Sequence, residues 1–262
     1  MGQRLGQHFL NNADVLRFIS ANAGIEDGCE IIEIGPGHGE LTEFIVRDAR
    51  GKRATIIAIE KDKALAEKLK KRFTKNRFSV LNEDAISFLE NHLNGKPRGG
   101  GKIIVVGNIP YYITGLLLRV LGTAKTIPDR VLLVIQKEVA QRICGVPPKM
   151  NILAACVGAW ACPTILRIIP KCEFSPKPKV DSAVVLLDKI RMAVPEAYYK
   201  FVRVIFAHPR KTILNNLSLV APKNILIDIL QSAGIPENSR PQNISIKSIK
   251  TLMEKVYNLN ND

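Results

Sequence analysis

The segment Gly107-Asn108-Ile109-Pro110-Tyr111-Tyr112 carries the groups that a reaction at an aromatic amine would need. The exocyclic amine of a base such as adenine is a poor nucleophile because its lone pair is delocalised into the ring. A catalyst has to localise that pair. The Asn108 side-chain oxygen and the backbone carbonyl of Ile109 or Pro110 are acceptors for the two amine protons. Pro110 fixes the geometry of the loop, and Tyr111 offers a face on which the base stacks. No strong general base is needed, since the proton becomes acidic once the new bond to nitrogen forms. In-line placement of the amine against an electrophile supplies much of the acceleration. Standing alone, the same residues also read as an Asn-Pro-type turn with two packing tyrosines, so the assignment depends on what lies around them.

Three other segments supply that context. Glu33-Ile34-Gly35-Pro36-Gly37-His38-Gly39 follows an apolar run and precedes a helical pattern, and its glycines allow a sharp turn with close approach to a ligand. A nicotinamide-type fingerprint wants a third glycine where this chain has Glu40. Acidic-x-Gly-x-Gly-x-Gly is instead the pattern of S-adenosylmethionine (SAM) enzymes. Glu60 ends the next apolar run, where a carboxylate can accept hydrogen bonds from both hydroxyls of a ribose. Asp84, in Asn82-Glu83-Asp84-Ala85, is an acceptor for an adenine amino group. Singly, each acid reads as a solvated strand end; together they converge on one crevice.

The elements that must position these groups alternate from residue 15 to about 187. Strands are expected at Glu30–Ile34, Thr55–Glu60, Phe78–Leu81, Ile103–Gly107, Val131–Gln136, Ala161–Ile169 and Ser182–Leu187. Helical spacing of apolar residues marks Val15–Ala23, Gly39–Arg47 and Ala64–Lys71. The pattern predicts a doubly wound α/β domain, a parallel sheet covered by helices. Asn94–Lys102 invites a phosphate-loop reading that fails, because Lys96 stands where the first glycine belongs and no Ser or Thr follows Lys102. Near Asp188–Pro195 the strand pattern gives way to helical periodicity, with Ser245 as a helix cap before Ile246, Ile249, Leu252, Met253 and Val256. The expected organisation is a domain over 1–187 and a small all-helical domain over 188–262.

The chain has 262 residues, 46% hydrophobic and 24% charged, the balance of a folded protein of one large domain with a small appendage. Its 38 Lys and Arg against 24 Asp and Glu give a net charge of +14, which favours polyanions, nucleic acid first among them. Five cysteines without a Cys-x-x-Cys pair and four scattered histidines indicate neither a disulfide framework nor a metal site. No apolar run reaches the roughly 20 residues of a membrane span. The N-terminus shows no targeting pattern, so a cytoplasmic location is expected. Nothing such as a heptad seam demands a dimer, and a monomer is expected.

Asn108-Ile109-Pro110-Tyr111 resembles the catalytic loop of amino-group methyltransferases, and nearly the whole chain resembles the ribosomal RNA adenine dimethyltransferases of the small subunit. The resemblance runs in order through Leu5-Gly6-Gln7-His8-Phe9-Leu10, Glu33–Gly37, Gln136-Lys137-Glu138-Val139, Phe174–Val184, Arg210–Leu217 and Asn243-Ile244-Ser245. It implies a Rossmann-like SAM-dependent methyltransferase core that places two methyls on N6 of each of two adjacent adenosines. Those lie in the 3′-terminal hairpin of 16S-type ribosomal RNA, within a small subunit under assembly. By motif matching, SAM would touch His8, Leu10, Gly35, Gly37, Glu60, Asp84 and Asn108. The target base would lie between Tyr111 and Phe174, and Arg210 and Lys211 would meet RNA in the helical domain.

This chain departs from the family pattern at His8, where Asn is usual, and at Lys149–Leu153, which replaces a Tyr-Gly-Arg-Leu-Ser segment. Pro209 also stands where the family often has a further Arg. Two alternatives stay open at this point. One is an erythromycin-resistance-type enzyme acting on large-subunit RNA, disfavoured by Arg210–Leu217. The other is a non-catalytic factor on the same fold, disfavoured by the intact Asn108–Tyr111 loop and Glu60.

Overall fold

The structure is a computed structural model that describes residues 8–74, 76–95, 101–190 and 192–258. Leu5, Gly6 and Gln7 of the N-terminal segment and residues 96–100 of the glycine-rich loop lie outside the described residues. In chain order the elements are β1 (Phe9–Leu10), α1 (Ala13–Asn22), β2 (Glu30–Ile34), α2 (Glu40–Asp48), β3 (Thr55–Ile59), α3 (Lys63–Arg72) and β4 (Phe78–Leu81). Then come α4 (Ala85–Asn94), β5 (Ile103–Asn108), α5 (Thr114–Thr123), β6 (Arg130–Gln136), α6 (Lys137–Ile143) and α7 (Ile152–Gly158). The remainder comprises β7 (Cys162–Ile169), β8 (Phe174–Ser175), β9 (Ser182–Asp188), α8 (Glu196–Ile205), α9 (Ile213–Leu217), α10 (Lys223–Ser232) and α11 (Ile246–Asn258). Every strand expected from the sequence forms, with its ends moved by one residue at most.

The seven long strands make one sheet in the order β4-β3-β2-β5-β6-β9-β7. All five residues of β2 and the first five of β5 are buried, as expected for strands covered on both faces. Their β-branched residues suit that environment. The first five strands of the chain's sheet pair in parallel, β2 lying between β3 and β5. The expectation of a parallel sheet fails for the last two, since β9 is antiparallel to both β6 and β7. The reason lies in the connection. A parallel return requires a crossover of a dozen or more residues, usually a helix. The residues between Ile169 and Ser182 hold no crossover helix, only a 3-10 turn and the short strand β8, and the pairing of Ile169 with Ser182 shows that they return the chain to the same end of the sheet.

Polar residues at the strand-to-helix turns fix where helices begin. Asn12, Asp62 and Asp84 N-cap α1, α3 and α4, each accepting from two backbone amides of the first turn. β1 and β8 form a separate two-stranded ribbon, with Leu10 opposite Phe174 and Phe9 opposite Ser175.

The chain divides into two compact units, 1–141 with 161–193 and 142–160 with 194–262. This corrects the expected division on two points: the helical unit begins at Val194, and it also contains Arg142–Trp160. The bonding within that unit explains the insert. Tyr198 Oη donates to the Ala155 carbonyl at 3.1 Å, Lys250 Nζ to that of Ala159 at 2.9 Å, and Met150 N to that of Gln242 at 3.2 Å. A helix as short as α7 shows its period in the sequence but not the neighbour on which it packs. Ile249, Leu252 and Val256 of α11 are buried as one face, and Ser245 accepts from Ser248 N at 3.1 Å as the expected cap. Among the described residues no helix is long and apolar enough to cross a membrane.

Candidate active site

The strand order reverses between β2 and β5, and open α/β sheets bind ligands outside the carboxyl ends of their strands at such a switch point. A crevice lies there. Its walls bring together four consecutive strand ends: Gly35 and Gly37 after β2, Glu60 after β3, Asp84 after β4, and Asn108 through Tyr111 at and after β5. Thus nine of the residues singled out in the sequence, His8 of the N-terminal segment among them, line one space.

The glycine loop owes its shape to two close approaches. Gly37 has φ +63°, and a Cβ there would stand 2.8 Å from the Phe9 ring, so the β1 segment lies directly on the loop. At Gly107 a Cβ would collide with the Ile34 carbonyl oxygen, which is why β5 can end against β2. Glu60 is buried, and its carboxylate accepts from Gly37 N at 3.1 Å and Asp62 N at 2.9 Å. Burial pushes its pKa above the ordinary carboxylate value, against the pull of those amides. One strand-end acid therefore ties the glycine loop to the start of α3 and keeps lone pairs for a ligand.

Asp84 is more heavily engaged. One oxygen caps α4 through Ile86 N and Ser87 N, and the other pairs with Lys61 Nζ at 3.0 Å. Partial burial works to raise its pKa, but the Lys61 ammonium and the two amides outweigh it and hold the carboxyl low. Glu33, the acid of the glycine motif, is fully buried, and neither of its oxygens has a hydrogen-bond partner among the described residues. Burial pushes it up to about 8, with Glu40 and Glu60 adding to the rise.

Asn108 Nδ2 donates to the His8 carbonyl at 2.8 Å. The amide is thereby oriented, with Oδ1 as its remaining acceptor. Ile109 is buried, its N–H bonded to the Val134 carbonyl at 3.0 Å, and the Pro110 carbonyl accepts Ile113 N at 3.1 Å. Tyr111 is half-buried, its hydroxyl 3.1 Å from Ser182 Oγ. The His8 ring bonds the Pro176 carbonyl at 2.7 Å, so its side chain is turned to the β8 loop.

Two expected residues are elsewhere. Phe174 was expected to wall the base site opposite Tyr111. It is instead buried in the hydrophobic core, because its pairing with Leu10 turns it inward, and it is not part of the crevice wall. Leu10 is likewise buried, and lines a smaller adjoining hollow together with Glu33, Pro36 and Asn108. Arg210 and Lys211 are exposed in the helical unit, on a turn that buried Asn216 clamps through His208 N and O at 3.0 and 3.1 Å. Sequence reasoning missed Phe9, Lys61 and Ser182. The position of Lys61 next to Glu60 was a signal for it, but Ser182 is 71 residues from Tyr111 and only the fold joins them.

The profile of the family described as "Ribosomal RNA adenine dimethylase" matches residues 2–258. The chain belongs to that family. It is 35% identical over 263 residues to the ribosomal RNA small subunit methyltransferase A of Fusobacterium nucleatum, covering 96% of each protein. Among solved structures it resembles a dimethyladenosine transferase from Plasmodium falciparum, with a TM-score of 0.78 at 23% identity over 97% of this chain and 98% of that one. It also resembles the 23S rRNA methyltransferase ErmE, with a TM-score of 0.70 at 24% identity over 95% and 99%. These two likenesses show the fold. Family membership makes the protein a SAM-dependent ribosomal RNA adenine dimethyltransferase.

Proposed function

We propose that the protein methylates N6 of two adjacent adenosines in the 3′-terminal hairpin of small-subunit ribosomal RNA, twice each, in the crevice at the carboxyl ends of β2 to β5. The observation that carries this reading is the Asn108 amide, fixed by its bond to the His8 carbonyl at the switch point of the sheet.

The crevice residues fit SAM. Glu60 is a buried carboxylate acceptor suited to ribose hydroxyls, and Gly35 and Gly37, both at positive φ, line the same crevice without side chains to fill it. The unpartnered oxygens of Glu33 lie beside the same loop, in the hollow that Gly35 and Asn108 share. Gly35, Gly37, Glu60, Asp84 and the backbone around His8 would hold the cofactor. Bound there, SAM supplies an electrophilic methyl on a sulfonium.

What the chain itself does is orient the amine. Asn108 Oδ1 and the Ile109 carbonyl accept the two amine protons and draw the nitrogen lone pair out of conjugation; the Pro110 carbonyl is already taken by Ile113 N. Tyr111, anchored through Ser182, stacks on the base. After the first transfer one amine proton remains, so one of the two acceptors suffices to orient the second. Arg210 and Lys211, on their clamped turn, contact phosphates.

The small-subunit substrate is favoured over the large-subunit one by the Fusobacterium relative, which is a small-subunit enzyme by name, and by Arg210–Leu217. A protein acting on assembling subunits works in the cytoplasm. The test is transfer from labelled SAM to under-methylated small subunits, with large subunits in parallel. Label in the small subunit alone supports the reading, and label in the large subunit alone replaces it with the resistance-type reading.

A further inference from the structure

Tyr111 and Tyr112 are consecutive residues of one 3-10 turn, Tyr111–Ile113, yet they meet opposite environments. Side chains on such a turn leave its axis roughly 120° apart, so the two rings cannot share one direction. Tyr111 is half-buried, with its hydroxyl tied to Ser182. Tyr112 is 67% exposed and stands in the wall of the crevice. Burying a large aromatic side chain favours folding, a gain that the fold forgoes at Tyr112. Its backbone is nevertheless held, because Ile113 N donates to the Pro110 carbonyl across the turn and α5 starts directly afterwards. An exposed aromatic ring on a fixed backbone loses only two side-chain torsions on binding, which suits it to contact a planar partner.

We propose that Tyr112 is a stacking platform for the base of the nucleotide adjacent to the target adenosine. The inference rests on the functional reading above, and extends it from the reacting base to its neighbour. When one base of a strand leaves its stack to enter a pocket, the face of the next base is uncovered at the pocket mouth, where an aromatic ring can replace the lost stacking. The occupant is a nucleic-acid base because the ring adjoins the site of base chemistry and the chain carries +14, which draws the phosphate backbone to it. With two adjacent adenosines as substrate, Tyr112 holds one while the other reacts. It thereby sets how well a doublet is distinguished from an isolated adenosine.

The test uses the 262-residue chain, labelled SAM and small ribosomal subunits lacking the modification. Tyr112→Ala, Tyr112→Leu and Tyr112→Trp are compared with the unaltered protein for KM toward the particle, kcat and SAM affinity. Base stacking on an aromatic ring predicts that Tyr112→Ala raises KM by about tenfold or more, with the loss falling mainly on KM. Tyr112→Trp should stay close to the unaltered protein, and Tyr112→Leu should behave like Tyr112→Ala. SAM affinity should change less than about threefold, since stacking on RNA acts only on the second substrate. A KM for Tyr112→Ala within about twofold of the unaltered value overturns the proposal. So does a Tyr112→Leu variant as good as Tyr112→Trp, which would make the contact simple apolar packing, or a collapse of SAM affinity in Tyr112→Ala. No transfer to the particle by the unaltered protein overturns the functional reading and the proposal with it, whereas normal transfer with an unchanged KM overturns the proposal alone.

Discussion

Asn108 Nδ2 donates to the backbone carbonyl of His8 across 100 residues of sequence, at 2.8 Å. This bond decides which end of the amide is left for a substrate. An amide rotated by half a turn would set a carbonyl oxygen against a carbonyl oxygen, so the acceptor end stays available to an amine. Because Asn108 acts on the amine during transfer, Asn108→Ala should lower kcat by about a hundredfold or more. SAM affinity should hold nearly steady. Isothermal titration with SAM beside single-turnover transfer separates the two. Near-normal turnover would remove Asn108 from the mechanism.

Glu60 gives a pH signature. Burial raises its folded pKa, so on acidification it takes up a proton before an ordinary carboxylate would, and the protonated group loses an acceptor for the ribose. SAM affinity should therefore fall as pH drops, starting above the roughly 4.3 of a free glutamate. Glu60→Gln should bind SAM about tenfold more weakly at neutral pH and lose that acid-side fall. Titrations across the range check both, and an unaltered profile in Glu60→Gln would place the ribose elsewhere.

Glu33 should instead set the pH dependence of stability. Its carboxyl is raised from 4.5 to about 8, so between those values the folded chain keeps a proton that the unfolded chain releases. The folded state binds more protons there, and stability falls as pH rises through the window, levelling off above it. Thermal unfolding should show Glu33→Gln gaining on the unaltered protein from pH 5 to pH 8, with the difference constant beyond. Parallel curves for the two proteins would contradict a neutral Glu33.

The frame of the site was legible because its signals are local. Buried parallel strands read as β-branched runs, and the groups at their ends, Gly35, Glu60, Asp84 and Asn108, fall at fixed positions in each unit of strand and helix. What was not legible depends on partners far away in the chain. The antiparallel edge follows from the lack of a crossover between β7 and β9, and Phe174 is turned inward by Leu10, 164 residues earlier in the chain. Ser182 behind Tyr111 and the placing of Arg142–Trp160 with the helical unit are of the same kind, since a periodic pattern names a buried face and not what covers it.

Arg210 and Lys211 should contribute charge and not cofactor binding. Neutralising both should weaken binding to the particle and reduce the slope of log affinity against log salt, each lost phosphate contact removing roughly one unit or less. SAM affinity should be unaffected. Filter binding over a salt series reads this directly, and an unchanged slope would move the RNA surface away from the turn that Asn216 clamps.

The most direct test of the central claim is nucleoside analysis of small-subunit RNA after incubation with SAM and either the unaltered protein or Asn108→Ala. The account predicts N6,N6-dimethyladenosine at two neighbouring positions near the 3′ end with the unaltered protein, and almost none with Asn108→Ala despite retained SAM binding. Dimethyladenosine formed equally by both proteins, or methyl groups on any atom other than adenine N6, would contradict it.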